Sequence, residues 1–247
     1  MNDESLLRYS RHIFLKEWDV PGQIAVSRAN VLVVGAGGLG APALLYLAAA
    51  GVGSLTVIDN DSVDLTNLQR QIIHQNSSIG QNKACSACET LNTINPHVNC
   101  VSINQKADKN LLEELLPQKT IVLDCSDNYE TRHIVNQACV KHRVALISGA
   151  ATGFKGQLTS FSPKTIDSPC YACLFAPSHI KNNDNCASMG VFSPITGVIG
   201  SLQASEALRY IVGIGKLSVG KIILFDGLNN IWNEFLVKKD SKCTVCS

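Results

Sequence analysis

Excess charge is nearly absent from this chain: 21 Lys plus Arg stand against 20 Asp plus Glu over 247 residues, a formal net charge of +1. That balance excludes a generally basic nucleic-acid binder, which needs a surplus of cations to neutralise phosphate. With 45% hydrophobic and 17% charged residues, the composition fits a large buried core and excludes a disordered chain. Met1 to Arg11 is polar and charged and lacks the apolar segment of a secretory signal, so the expectation is a cytoplasmic protein. Internal repeats and low-complexity tracts are also missing. At roughly 150 residues per domain, the length allows one large domain or two small ones.

From Ala29 to Ile58 there is no charged residue at all, yet the stretch does not read as a membrane span. Asn30 and six glycines (Gly35, Gly37, Gly38, Gly40, Gly51 and Gly53) interrupt it. Its helical piece, Leu39 to Ala50, would be roughly 18 Å long, short of the ~30 Å hydrocarbon core. It reads as a buried strand, turn, helix, turn and strand.

The apolar runs Val31 to Val34, Leu55 to Ile58 and Ile121 to Leu123 predict parallel strands covered on both faces. Helices are predicted at Gln81 to Ile94, Leu111 to Leu116 and Tyr129 to His142, and further strands at Val98 to Ile103 and Val144 to Ile147. This alternation gives the expected fold class, a Rossmann-like, doubly wound α/β sheet. After residue 150 the pattern changes. Gly156 to Phe161 alternates like a half-exposed strand, Asp167 to Pro194 is a long polar connection, and Ile195 to Val212 is a helix. Lys221 to Phe225 and Ile231 to Val237 are expected as antiparallel strands that extend the sheet. The expectation is one unit over 1–247, with a nucleotide-binding half at 1–150 and a second half at 151–247.

Gly35, Gly37 and Gly40 form G-x-G-x-x-G between a strand and a helix. The first permits the tight turn, the second lets backbone approach phosphate, and the third allows close helix packing. Asp59, 19 residues past Gly40, ends the next strand where a carboxylate can accept ribose hydroxyl protons. A dinucleotide enzyme would use the same turn. The residues after Asp59 argue for a triphosphate: Asn67-Leu68-Gln69-Arg70 and then Lys83 bring cations that can neutralise charge as pyrophosphate leaves. The plainer reading of Arg70 and Lys83 is a pair of solvated helix-surface cations. Asp127, in Asp124-Cys125-Ser126-Asp127-Asn128 after a buried strand, is either a ligand for Mg²⁺ or a structural loop acid. Asn128 suits a helix N-cap.

Ten cysteines remain to be sorted. Cys170/Cys173 and Cys243/Cys246 are two CxxC pairs in turn-rich segments, and together they offer four thiolates for one structural Zn²⁺; paired redox disulfides are the alternative. Cys85 and Cys88 share one helix face and are expected to pack against the sheet. Cys100, Cys125 and Cys139 are isolated. Cys186 sits in the polar run Asn182 to Ser188, either as an incidental thiol or as one that reaches a substrate.

Taken in order, Arg8-Tyr9-Ser10-Arg11, the glycine turn, Asp59, Asn67 to Gln71, Lys83, Asp124 to Asn128 and the two outer CxxC pairs resemble the ThiF/MoeB/HesA family, the bacterial branch of the ubiquitin-activating enzymes. The resemblance implies ATP-dependent adenylation of the C-terminal glycine of a small ubiquitin-like sulfur carrier ending in Gly-Gly. It implies that Gly38 meets the phosphates, that Asp59 meets the ribose, and that Asn67, Arg70 and Lys83 act around the phosphates. Asp127 would hold Mg²⁺, and Asp61, Gln69 and Asn128 would complete the nucleotide site. Arg11 would reach the partner's site across a homodimer, and a sulfurtransferase or cysteine desulfurase would act downstream. Gly153 to Gln157 and Phe225-Asp226-Gly227 look more like the thiamine branch, with a ThiS-like carrier, than the molybdopterin branch. Cys186 matches the thiamine-branch cysteine that forms an acyl disulfide with its carrier. Two other readings predict different behaviour: an NAD(P)-dependent oxidoreductase, and a module that binds carrier and nucleotide without turnover.

Overall fold

Consecutive buried positions in one strand require cover on both faces, and the chain supplies it. In the computed structural model, which describes residues 1–176 and 190–247, the parallel strands are β1 (Asn30–Val34), β2 (Ser54–Ile58), β3 (Asn99–Ile103), β4 (Ile121–Asp124) and β5 (Ala145–Thr152). Antiparallel β6 (Lys155–Phe161), β7 (Lys221–Asp226) and β8 (Ile231–Leu236) extend them into one sheet of order β3-β2-β1-β4-β5-β6-β7-β8. This sheet contains strands from both 1–150 and 151–247.

The helices are α1 (Asp3–Arg8), α2 (Ser10–Ile13), α3 (Asp19–Arg28), α4 (Gly40–Ala49), α5 (Lys83–Ile94), α6 (Lys109–Leu115), α7 (Tyr129–His142), α8 (Tyr171–Leu174) and α9 (Ser193–Val212). Alternation along β1 divides the core. Val31 and Val33 pack with Leu44 of α4, Leu91 of α5 and Ile199 of α9, whereas Leu32 and Val34 pack with Leu112 of α6 and Val135 of α7. β1 therefore runs into a helix on one face and β4 into a helix on the other. The strand order reverses between them, which opens a crevice at their carboxyl ends. Among the described residues, no helix is long and apolar enough to cross a membrane.

The structure departs from the sequence expectations at several places. β5 continues to Thr152 because it pairs with β6 through a tight turn at Gly153, where φ is +54°. β6 is not half exposed: Leu158 to Phe161 are all buried, with the Ser160 hydroxyl donating to Glu206 and that of Thr159 to the Lys221 carbonyl. α9 begins at Ser193, since proline is tolerated in a first helical turn. The connection after Asp167 contains one helical turn, α8. Cys88 is buried as expected, but it is disulfide-bonded to Cys100, because α5 crosses β3 with the two Cα atoms 5.5 Å apart. Cys85 is half buried, its Sγ 3.6 Å from Ser102 Oγ, and is not a core residue.

Candidate active site

Leaving β1, the chain bends at Gly35, whose φ of +96° belongs to glycine, and the Gly35 N–H donates to the Ile58 carbonyl at 2.8 Å. A Cβ on Gly40 would lie 1.9 Å from the Gly35 carbonyl oxygen, so the turn can close only on a residue without one. Gly37, Gly38 and Leu39 line a cavity of about 690 Å³ in the crevice. Among the described residues, none accepts a hydrogen bond from their N–H groups. Three free donors beside the start of a helix favour an anion.

At the end of β2, Asp59 Oδ2 accepts from the Ala36 N–H at 2.8 Å and Oδ1 accepts from the Asp61 N–H at 2.9 Å. Burial pushes the Asp59 carboxyl above its ordinary range, while these two donors and the Lys83 charge pull it back. Lys83 opens α5 with its side chain largely buried and its Nζ 3.0 Å from Asp61 Oδ2. Arg70 donates to the Thr66 carbonyl at 3.1 Å, which aims its guanidinium along the cavity wall. Gln69 lines the same wall. Asn67 does not. Its side chain accepts from the Asp64 N–H at 3.3 Å and serves as half of a capping box.

Beyond β4, Asp124 is fully buried and fixes the loop after it. Its Oδ1 accepts from the Ser126 hydroxyl at 2.6 Å, and its Oδ2 accepts from the Ser148 hydroxyl at 3.0 Å. Arg132, buried on α7, donates to the Ser126 carbonyl and to Ser148 Oγ and lies 4.0 Å from Asp124 Oδ2. With its neighbour so held, Asp127 faces the cavity exposed, its carboxylate met among the described residues by the Asn128 amide at 3.5 Å. Asn128 lines the cavity and also caps α7, accepting from the Thr131 N–H at 2.9 Å. Burial pushes the Cys125 thiol far up.

One cavity thus gathers Gly35, Gly37, Gly38, Asp59 and Asp61 with Gln69, Arg70, Lys83, Asp127 and Asn128. Gly40 packs beneath the turn. Arg11 is exposed on α2 and is not part of the walls of this chain's own cavity. Cys186 lies outside the described residues. Sequence reading missed Arg132; its one signal is a basic residue one helical turn after Asn128, and nothing local says that it is buried.

The four outer thiols converge as well. Cys170, Cys173, Cys243 and Cys246 place their Sγ atoms within 4.8 Å of one another, with contacts of 3.4 Å (Cys173–Cys246), 3.7 Å (Cys170–Cys243) and 4.0 Å (Cys170–Cys173). All four are free thiols. A tetrahedron of sulfurs around Zn²⁺ at 2.3 Å has edges of roughly 3.8 Å, so the donor set fits that ion. Asn136 donates to Cys170 Sγ at 3.5 Å and accepts from the Tyr171 N–H at 2.9 Å. Tyr171 and Phe175, on and just after α8, reach back to line the cavity.

Residues 9–245 match the model of the ThiF family. The chain belongs to that family. Relatives agree over the full length: it is 42% identical to the molybdopterin-synthase adenylyltransferase of Escherichia coli K12 (100% of this chain, 98% of that one). It is 39% identical to the ThiS adenylyltransferase of the same organism (100% and 97%). It also matches an adenylyltransferase and sulfurtransferase, MOCS3, of Culex quinquefasciatus at 41%, covering 56% of that longer chain. In fold it is similar to E. coli MccB in complex with MccA-N7isoAsn, with a TM-score of 0.86 at 24% identity, covering 97% of this chain and 75% of MccB. This ThiF-family protein is an adenylyltransferase, and the two carrier specificities named among its relatives stand at nearly equal identity.

Proposed function

We propose that the protein uses ATP to adenylate the C-terminal glycine carboxylate of a small ubiquitin-like sulfur carrier ending in Gly-Gly, with release of pyrophosphate. The observation that carries this reading is the convergence of the glycine turn, Lys83, Arg70 and an exposed Asp127 carboxylate in one cavity. The carrier carboxylate attacks the α-phosphorus of ATP in line, and the bond to the departing pyrophosphate breaks. No side chain need act as base, because a carboxylate is already ionised at neutral pH. Positioning and charge neutralisation supply the rate. The Gly37 and Gly38 N–H groups and Lys83 and Arg70 hold the phosphates, and Asp59 holds the ribose. Asp127 would hold Mg²⁺, which neutralises phosphate charge when bound. Arg11 acts across a homodimer, in the partner's site.

The carrier is ThiS-like and serves thiamine biosynthesis; Gly153 to Gln157 and Phe225-Asp226-Gly227 support this. A molybdopterin-type carrier is the second reading, favoured by the 42% identity to the molybdopterin-synthase enzyme. Carrier-dependent exchange of labelled pyrophosphate into ATP tests the proposal, with both carriers supplied separately. Exchange with the ThiS-like carrier supports the first reading and exchange with the other carrier the second. Nicotinamide binding without exchange excludes both.

A further inference from the structure

One buried imidazole beside the cavity has no role in the reaction as described. His74 is 6% exposed and comes three residues after Gln71. Its Nε2 lies 3.0 Å from the Ala36 carbonyl oxygen and its Nδ1 2.9 Å from Ser86 Oγ. A carbonyl oxygen can only accept, so Nε2 carries the proton and donates. Burial holds the ring below its ordinary pKa, and the Lys83 charge adds to this. The ring is therefore neutral at pH 7, and Nδ1 accepts from the Ser86 hydroxyl. Ser86 is itself buried on α5, three residues after Lys83.

Ala36 is gripped from two sides. Its N–H donates to Asp59 Oδ2 and its carbonyl accepts from His74. A trans peptide is planar, with its C=O and N–H pointing in opposite directions. Holding the Ala36 carbonyl on one side thus fixes the Gly37 N–H on the other. Neither peptide belongs to a helix or strand, and glycines flank Ala36, so without these grips the segment has wide rotational freedom.

We propose that His74, kept in its Nε2–H tautomer by Ser86, is a positioning residue that locks the Ala36–Gly37 peptide and presents the Gly37 N–H to the phosphates of a nucleoside triphosphate. The inference rests on the adenylation reading above. His74 is not among the residues lining the cavity and transfers no proton in the reaction. Loss of the Ser86 hydroxyl frees the tautomer choice, and the Nδ1–H form would turn a lone pair against the Ala36 oxygen.

Calorimetric titration of Mg-ATP into wild type, His74→Ala, His74→Gln and Ser86→Ala tests this. His74→Ala is expected to raise the Kd for ATP about tenfold, the value of one lost buried hydrogen bond. Gln places an amide N–H near the position of Nε2 and restores binding to within about threefold. Ser86→Ala falls between. In exchange assays the KM for ATP rises more than kcat falls, and the KM for carrier stays unchanged. Ring ¹⁵N shifts of wild-type His74 show the neutral Nε2–H form. Wild-type affinity in His74→Ala, equal losses in the Ala and Gln variants, or an Nδ1–H ring would overturn the assignment. If His74→Ala fails to fold, Ser86→Ala and the ring shifts decide. A wild type that binds no ATP refutes the adenylation reading as well, an outcome distinct from a wild type and a His74→Ala variant that bind it equally.

Discussion

Lys83 Nζ lies 3.0 Å from Asp61 Oδ2, and the two partners sit in different surroundings: the lysine side chain is 8% exposed, the aspartate side chain 63%. The stem is anchored, and the charge is held at the cavity by a partner that water also solvates. Such a half-exposed pair is worth at most about 1 kcal/mol, so the ammonium can exchange Asp61 for a phosphate at little cost.

Lys83→Met keeps the buried stem and removes the charge. Pyrophosphate exchange is expected to fall by about 100-fold or more, with stability in urea changed by under about 1 kcal/mol. Undiminished exchange would take Lys83 out of the mechanism.

Asp124 is a structural acid. Asp124→Asn removes the buried carboxylate charge 4.0 Å from the Arg132 guanidinium and weakens the Ser126 and Ser148 anchors. A loss of about 3–5 kcal/mol in urea denaturation is expected. A loss below about 1 kcal/mol would mean that the loop before Asp127 is held by other groups.

Much of the fold could be read from local pattern, and particular residues show why the rest could not. Val31 to Val34 are apolar without interruption, and only a strand covered on both faces makes use of that. The Gly35–Gly40 turn with Asp59 beyond it has a fixed spacing, and the two outer CxxC pairs each carry their own spacing. Arg132, His74 and the Cys88–Cys100 bond carry no such signal, because each depends on a partner brought in by tertiary contact. Leu158 to Phe161 read as half exposed for the same reason: α9 and β7 cover polar residues whose hydroxyls find partners far along the chain.

His133 is buried edge-on against Tyr171, 5.3 Å between ring centroids, and neither ring nitrogen has a partner among the described residues. Burial lowers its pKa, and those of His12 and His74 move the same way. Below the ordinary imidazole value of about 6.5, the unfolded chain binds protons that the folded ring refuses. Stability should therefore fall as pH drops from about 7 toward 5 and rise in the opposite direction. His133→Phe keeps a flat apolar ring and removes one contributor, so its stability should fall less across that range. Equal pH slopes in urea titrations of the two proteins would refute this.

The sulfur tetrad ties residues 243 and 246 to the start of α8, which presents Tyr171 to the cavity. Freshly purified protein is expected to hold about one zinc per chain by elemental analysis. Withdrawing it with a chelator, or replacing Cys243 with Ser, should lower the melting temperature and open the chain after Leu236 to protease. Metal-free protein with unchanged melting and proteolysis would refute the clasp.

The most direct measurement is the intact mass of a Gly-Gly-ending carrier after incubation with the protein, ATP and magnesium. The account predicts a carrier heavier by one AMP moiety, formed by wild type and not by Asp127→Ala or Arg70→Ala variants of unchanged fold. A carrier of unaltered mass with wild type, or an equal adduct with both variants, would contradict it.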